Sequence, residues 1–276
     1  MVIRRSRVIG LGAVLAIVLA CAVAAFRGGD TGEGLFVYCG AGLRPAMEEI
    51  RHEFTCETGT PVNVTYAGSG CLLSMLTFAR SGDLYMPGER YYTDQARKAG
   101  HLDDERTVAY LVAVVMVQKG NPKQIRSLRD LARPDVRVGI GQTESVACGM
   151  TAKRVLEKAG LWTAVKTNID ARGAYTGTAV ELSNALILNA LDAAINWDAM
   201  AYLVRDKVEV IAIPRERNID VDVPLAVLRC SKNRDAARRF LRFVESERGR
   251  HCFAGQGYHA SLEPYVLPYY GKQVLD

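Results

Sequence analysis

Four stretches of small residues stand where a polypeptide backbone could meet a ligand: Cys39-Gly40-Ala41-Gly42, Gly68-Ser69-Gly70-Cys71, Ser145-Val146-Ala147-Cys148-Gly149 and Thr176-Gly177-Thr178-Ala179. Each leads straight into a segment whose apolar residues recur at helical spacing. Small side chains let the backbone approach a bound group closely. The first N–H groups of a helix have no internal acceptor, and each helix start carries roughly half a positive charge. Several starts aimed at one point make an anion site without a fixed cation. Ser69 and Thr178 add hydroxyl donors, and Glu144 and Glu181 are the carboxylates close to the loops. One glycine-rich turn is an ordinary feature of α/β proteins; its fourfold repetition is what points to function.

Cys39, Cys71 and Cys148 all fall on these loops. Three thiolates could hold a soft ion such as Cu(I) or arsenite. The structural alternatives are a Cys39–Cys71 disulfide or inert small residues. Cys148, at a helix start, could also be a nucleophile with a lowered pKa, served by Glu144 because no histidine occupies a loop. His52, His101, His251 and His259 are scattered, and no C-x-x-C pair is present, so no structural metal site is expected. Arg44 beside the first loop would strengthen anion attraction if desolvated and add almost nothing on a solvated helix face, the favoured reading.

Positioning these loops requires alternating strands and helices, which argues α/β layers. Leu35 to Tyr38, Val62 to Tyr66 and Leu84 to Met86 read as strands, with a helix after each of the first two. Pro45 sits early in the first helix, where its missing N–H is harmless. Val108 to Val117 is long and apolar enough to cross between lobes, and Val221 to Leu228 is a second crossover candidate. Between them, Ser127 caps a short helix, Val136 to Ile140 is a strand, and Val146 to Ala159 and Ala179 to Leu191 are helices. Ala193 to Asn196 and Val208 to Ile213 are further strands, and Asp198 can cap the helix between them. Helices from Asn233 to Phe253 must return to the first lobe, since few apolar residues remain for a third core.

The segment Leu35-Phe-Val-Tyr-Cys-Gly-Ala-Gly-Leu43, followed by Val62-Asn-Val-Thr-Tyr-Ala-Gly-Ser-Gly70, resembles the opening of periplasmic molybdate-binding proteins. Gly82 to Glu89, Asn121-Pro122, Arg137 to Gly149 and Ala193 to Asp198 continue the likeness in the same order, over essentially Leu35 to Gly257. The resemblance implies a two-lobed type II periplasmic-binding fold with a ligand cleft between the lobes. One lobe would comprise residues 35–111 and 226–276, the other 112–225. It implies capture of molybdate or tungstate by Gly42 and Ser69 from one lobe and by the backbone at Cys148 and Val180, with the Trp197 ring, from the other. Gly42 departs from the usual serine and Trp197 from the usual tyrosine, so one hydroxyl is missing and the donor set is altered. An ABC permease with its ATPase is the implied partner, and no catalysis and no cofactor beyond the bound oxyanion are expected.

Arg4, Arg5 and Arg7 followed by the uncharged Val8 to Ala20 read as an export signal. Val18-Leu-Ala-Cys21 resembles a lipobox, making Cys21 a lipid anchor at the membrane; ordinary cleavage near Ala24 and an uncleaved span are the alternatives. Residues 1–20 would be removed and residues 21–34 would form a tether, leaving six cysteines outside the cytoplasm, where disulfides can form. The chain has 276 residues, 49% hydrophobic and 24% charged, which describes globular lobes of ordinary size. Its formal charge of +5 includes the three leader arginines, so no basic stripe for nucleic acid is expected. An export signal also argues against a transcription-factor effector domain, and a monomer is expected.

Overall fold

Strand and helix alternate through residues 34–262, which together with Leu275 are described by a computed structural model. The expected leader with Arg4, Arg5 and Arg7, the Cys21 anchor and the tether through Glu33 lie outside the described residues. The first half runs β1 (Leu35–Gly40), α1 (Arg44–Thr58), β2 (Val62–Ala67), α2 (Ser69–Ala79), β3 (Leu84–Met86) and α3 (Arg90–Lys98) into β4 (Leu102–Gln118). It continues with β5 (Val138–Gly141), α4 (Ala147–Lys158), α5 (Trp162–Arg172), β6 (Ala174–Thr176), α6 (Ala179–Ile187) and β7 (Ala193–Trp197). Then come α7 (Asp198–Leu203), β8 (Val208–Ala212), β9 (Asp220–Leu228), α8 (Arg234–Glu245) and α9 (Glu247–Gly255).

The strand ladders form two groups that share β4. Near its start β4 pairs antiparallel with β9, as far as Val112; from Ala113 onward it pairs with β7 and β8. In the first group β1 lies parallel between β2 and β3, with Val37 opposite both Val64 and Leu84. In the second, β5 lies parallel between β6 and β7. Nearly all of β1 and all of β5 and β7 are buried, as strands covered by helices on both faces must be. One contiguous apolar core runs from Leu35 through Tyr258 and includes Leu275. No helix among the described residues is long and apolar enough to cross a membrane.

Several elements differ from the sequence pattern. Helix α3 (Arg90–Lys98) was not anticipated because it buries only Tyr92, Thr93 and Ala96, too few aliphatic residues to show a period. Helix α5 similarly buries Val165, Asn168 and Ile169. β4 begins six residues before Val108, since Leu102, Glu105 and Arg106 pair with β9 although residues 103–106 are polar, with an irregularity in register between Leu102 and Glu105. The segment after Ser127 is a 3-10 turn, Leu128–Ala132, in which the Asp130 carboxylate accepts from the Ser127 N–H at 2.9 Å.

Close packing of α4 on β5 sets where the third loop ends. A Cβ at Gly149 would overlap the Gly141 carbonyl, so only glycine lets the helix lie at this depth. Gly149→Ala is expected to lower unfolding stability by about 1–3 kcal/mol through overpacking, measured as a reduced urea midpoint with unchanged slope.

Candidate functional site

Parallel pairing places the carboxyl ends of β1, β2 and β3 on one side, and those of β5, β6 and β7 likewise, which is where open α/β sheets bind ligands. The four small-residue loops leave from these ends and converge. They enclose a cavity of about 20 Å³ lined by Gly40 to Leu43, Ala67 to Ser69, Val146 to Cys148 and Thr178-Ala179, completed by Gly88, Leu111 and Trp197. Its volume suits a guest of a few atoms rather than an organic substrate. No charged side chain is among the lining residues.

Hydrogen-bond donors dominate what this lining can offer. The backbone N–H groups of Gly42, Ser69, Ala147 and Ala179 meet no protein acceptor among the described residues. Each belongs to a helix start or to the 3-10 turn Ala41–Leu43 that opens α1. Ser69, 3% exposed, accepts from the Gly88 N–H at 3.0 Å, which leaves its own hydroxyl proton to donate. The Tyr85 hydroxyl fixes the Ser69 carbonyl at 2.9 Å. The Tyr258 hydroxyl likewise donates to the Gly42 carbonyl. Trp197 is 3% exposed, and its indole N–H, a donor only, has no acceptor among the described residues. Leu43, Leu111 and Val146 supply buried apolar walls, so an N–H···O contact made here would be stronger than in water.

Of the residues singled out from the sequence, Gly42, Ser69, Cys148 and Trp197 line the cavity together. Val180 does not; its side chain is 39% exposed, and only its backbone, in the first turn of α6, lies near the loop. Gly88, Leu111 and Tyr258 were missed. Gly88 carried a signal, because Pro87-Gly88 is another small-residue turn after a parallel strand; Leu111 and Tyr258 carried none, being placed by tertiary packing.

The cysteine alternatives are not assembled. Cys39 is buried with its thiol on the Gly40 carbonyl, Cys71 is exposed at the start of α2, and only Cys148 reaches the cavity. All six described cysteines are free, so the Cys39–Cys71 disulfide is not formed: one thiol points into the core and the other into solvent. Burial pushes the Cys148 thiol up to about 12, against the lowering first expected from the helix start, because desolvation of a thiolate outweighs the nearby N–H groups. Among the described residues no cluster of His, Cys, Asp or Glu could hold a metal ion. Glu144 is exposed and bonded to Thr143. Glu181 accepts from the Gly177 N–H at 2.9 Å and is not among the lining residues, while the lining residue Thr178 caps α6 by accepting from the Glu181 N–H at 3.1 Å. Arg44 is exposed and stands 5.0 Å over the Tyr66 ring.

Across the cavity the two ladder groups touch. The Gly70 N–H donates to the Ser145 carbonyl at 2.9 Å, and a Cβ at Gly68 would lie 2.9 Å from the Ser145 oxygen and 3.0 Å from that of Gly177. Behind Trp197, Asp198 accepts from the Val112 and Ala199 N–H groups and faces the His259 ring, while His259 pairs its backbone with Tyr110.

Two predictions come from this geometry. With thiol reagents at neutral pH, Cys71→Ser should remove one fast-reacting thiol and Cys148→Ser none; equal reactivity of the two would contradict the burial of Cys148. Bonding to Asp198 raises the His259 pKa. Stability from a raised histidine is fully present below its unfolded value, about 6.5, and is lost as pH rises through the folded value. The stability difference between the wild type and His259→Gln should therefore be largest near pH 5.5 and shrink towards pH 9 in urea titrations.

Comparison with known proteins agrees with this architecture. Residues 35–259 match the family described as bacterial extracellular solute-binding protein. A binding protein of Haemophilus influenzae is 31% identical over 224 residues, covering 81% of this chain and 90% of the relative. The molybdate-binding protein ModA of Mycobacterium tuberculosis is 28% identical over 227 residues, covering 81% and 84%. Among solved structures, the periplasmic molybdate-binding protein of Azotobacter vinelandii superposes with a TM-score of 0.72 at 14% identity, covering 81% of this chain and 98% of its own; that likeness shows the two-lobed periplasmic-binding fold. With its converging helix starts, shared crossover strand and match across residues 35–259, the chain belongs to the bacterial extracellular solute-binding protein family.

Proposed function

We propose that the protein captures a tetrahedral oxyanion, molybdate or tungstate, outside the cytoplasm and delivers it to an ABC permease driven by its ATPase. The observation that carries this reading is the set of unpartnered N–H groups, from four loops, around one small cavity without a carboxylate. The molybdate-binding relatives support the choice of anion. Gly42, Ser69 and the loop at Cys148 would grip the oxygens, with the Val180 backbone at the rim and the Trp197 N–H as a further donor. Lipidation at Cys21 would keep the protein at the membrane surface.

Binding would proceed by hinge closure. With the lobes apart each presents two helix starts to water; an anion between them favours the closed form by its greater affinity for it. Closing expels water and strengthens every contact to the oxygens. The permease would then recognise the closed shape. Ser69 and Trp197 present protons, so a fully deprotonated dianion suits the site better than a protonated phosphate, whose hydroxyl needs an acceptor. A second reading, preference for a different oxyanion, is favoured by Gly42 standing where the resembling family carries a serine hydroxyl. A binding role rather than catalysis agrees with the buried, protonated Cys148.

A thermal-shift panel of molybdate, tungstate, sulfate and phosphate, with divalent and soft metal ions beside them, tests the assignment. Molybdate or tungstate at 100 times its Kd should stabilise the protein by about 2.7 kcal/mol. Ser69→Ala should weaken that binding roughly 10- to 100-fold, the loss of one hydrogen bond to a charged group. Stabilisation by metal ions alone, with no response to any oxyanion, would overturn the proposal.

A further inference from the structure

A buried carboxylate bridges the two ladder groups beside the cavity and takes no part in lining it. Glu89 ends the Pro87-Gly88-Glu89 turn that joins β3 to α3, and α3 packs on β9 and α2. Its partners lie on α4, which packs on β5 and β7. The Thr151 hydroxyl donates to one Glu89 oxygen at 2.9 Å, and the Arg154 guanidinium pairs with the other. Ala147, Thr151 and Arg154 recur at i, i+4 and i+7, so they share one face of α4. The turn lies along that face, with a Cβ at Gly88 only 3.1 Å from the Ala147 methyl. Glu89 is 4% exposed, and burial raises its pKa against the opposing pull of Arg154 and Thr151. Arg154 keeps nearly half of its side chain in solvent.

A carboxylate buried this deeply is tolerated only while its partners are in place. Parting the lobes would separate Glu89 from all of them at once and return it to water. Each half is then solvated, and the open form loses nothing specific. In the closed form, by contrast, loss of Arg154 leaves a desolvated charge with one hydroxyl for company.

We infer that Glu89, Thr151 and Arg154 form a latch that sets how long the closed form persists around its anion; this rests on the hinge-closing reading above. None of the three touches the ligand: they are positioning residues that act on the dissociation rate. Removing one partner of a buried charge pair acts mainly on dissociation. Arg154→Gln should speed molybdate release about 30-fold or more, and Glu89→Gln by a smaller factor, because glutamine leaves no buried charge. The double variant should release molybdate more slowly than Arg154→Gln alone, since the stranded charge is gone.

The experiment is stopped-flow release of molybdate from the mature wild type, both single variants and the double variant, with association rates and the Tm of each unliganded protein measured alongside. Faster release with unchanged association and unliganded Tm, partly reversed in the double variant, supports the latch. Unchanged release rates in variants of a molybdate-binding wild type overturn it. So does an additive double variant whose affinity loss follows a fall in unliganded Tm, which would mark a purely structural contact. If the wild type binds no molybdate, the functional reading falls by itself. The latch is then decided by the same release measurement with whichever oxyanion stabilises the wild type: faster release from Arg154→Gln supports it, and an unchanged rate overturns it.

Discussion

Peptide N–H groups at the start of a helix have no acceptor inside that helix, and the arrangement of this protein turns on where those groups are left. Placing them against apolar surface without a partner would be costly. Here the unpartnered N–H groups of Gly42, Ser69, Ala147 and Ala179 line one cavity, and no carboxylate enters it to satisfy them. No lysine or arginine is among the lining residues, so any positive field there would come from peptide dipoles at the helix starts. Such donors would need no reorientation to meet an anion, unlike long side chains.

The rest of the molecule can be understood as the support for that convergence. Parallel β1, β2 and β3, and parallel β5, β6 and β7, put every strand-to-helix turn at a carboxyl end. β4 belongs to both ladder groups and β9 pairs along its first part, so the loops of the two groups are brought face to face. Small residues are required where they meet: at Gly68 and Gly70 the opposing Ser145 backbone comes too near for any side chain. Backbone carbonyls that would repel an anion are tied back, that of Gly42 by Tyr258 and that of Ser69 by Tyr85.

Charged side chains are absent from the cavity lining and are used around it. Glu181 is consumed in capping α6, Asp198 in holding β4, α7 and His259 together, and Glu89 in the contact with α4. The thiols follow the same division. Cys148 lines the site, yet its surroundings keep it protonated, so it contributes small size and backbone rather than reactivity. Cys39 and Cys71, neighbours of the loops in sequence, have their sulfurs on opposite sides of the chain's surface.

Sequence by itself determined the α/β alternation and the four glycine-rich turns, because strand hydrophobicity, glycine punctuation and helix starts are local properties of the chain; Gly42, Ser69, Cys148 and Trp197 were singled out by the resemblance to periplasmic molybdate-binding proteins and not by spacing. It also carried the likeness that identifies the family. It did not show α3 or α5, whose buried faces are too narrow to leave a period, nor the polar beginning of β4, which is a strand only because β9 pairs with it. The contributions of Leu111, Tyr258 and the Glu89 contact, the opposite fates of Cys39 and Cys71, and the protonation of Cys148 were decided by tertiary structure alone. Each depends on which distant surfaces are brought together and how much water they exclude, and neither distance nor desolvation is encoded in the spacing of residues along a chain.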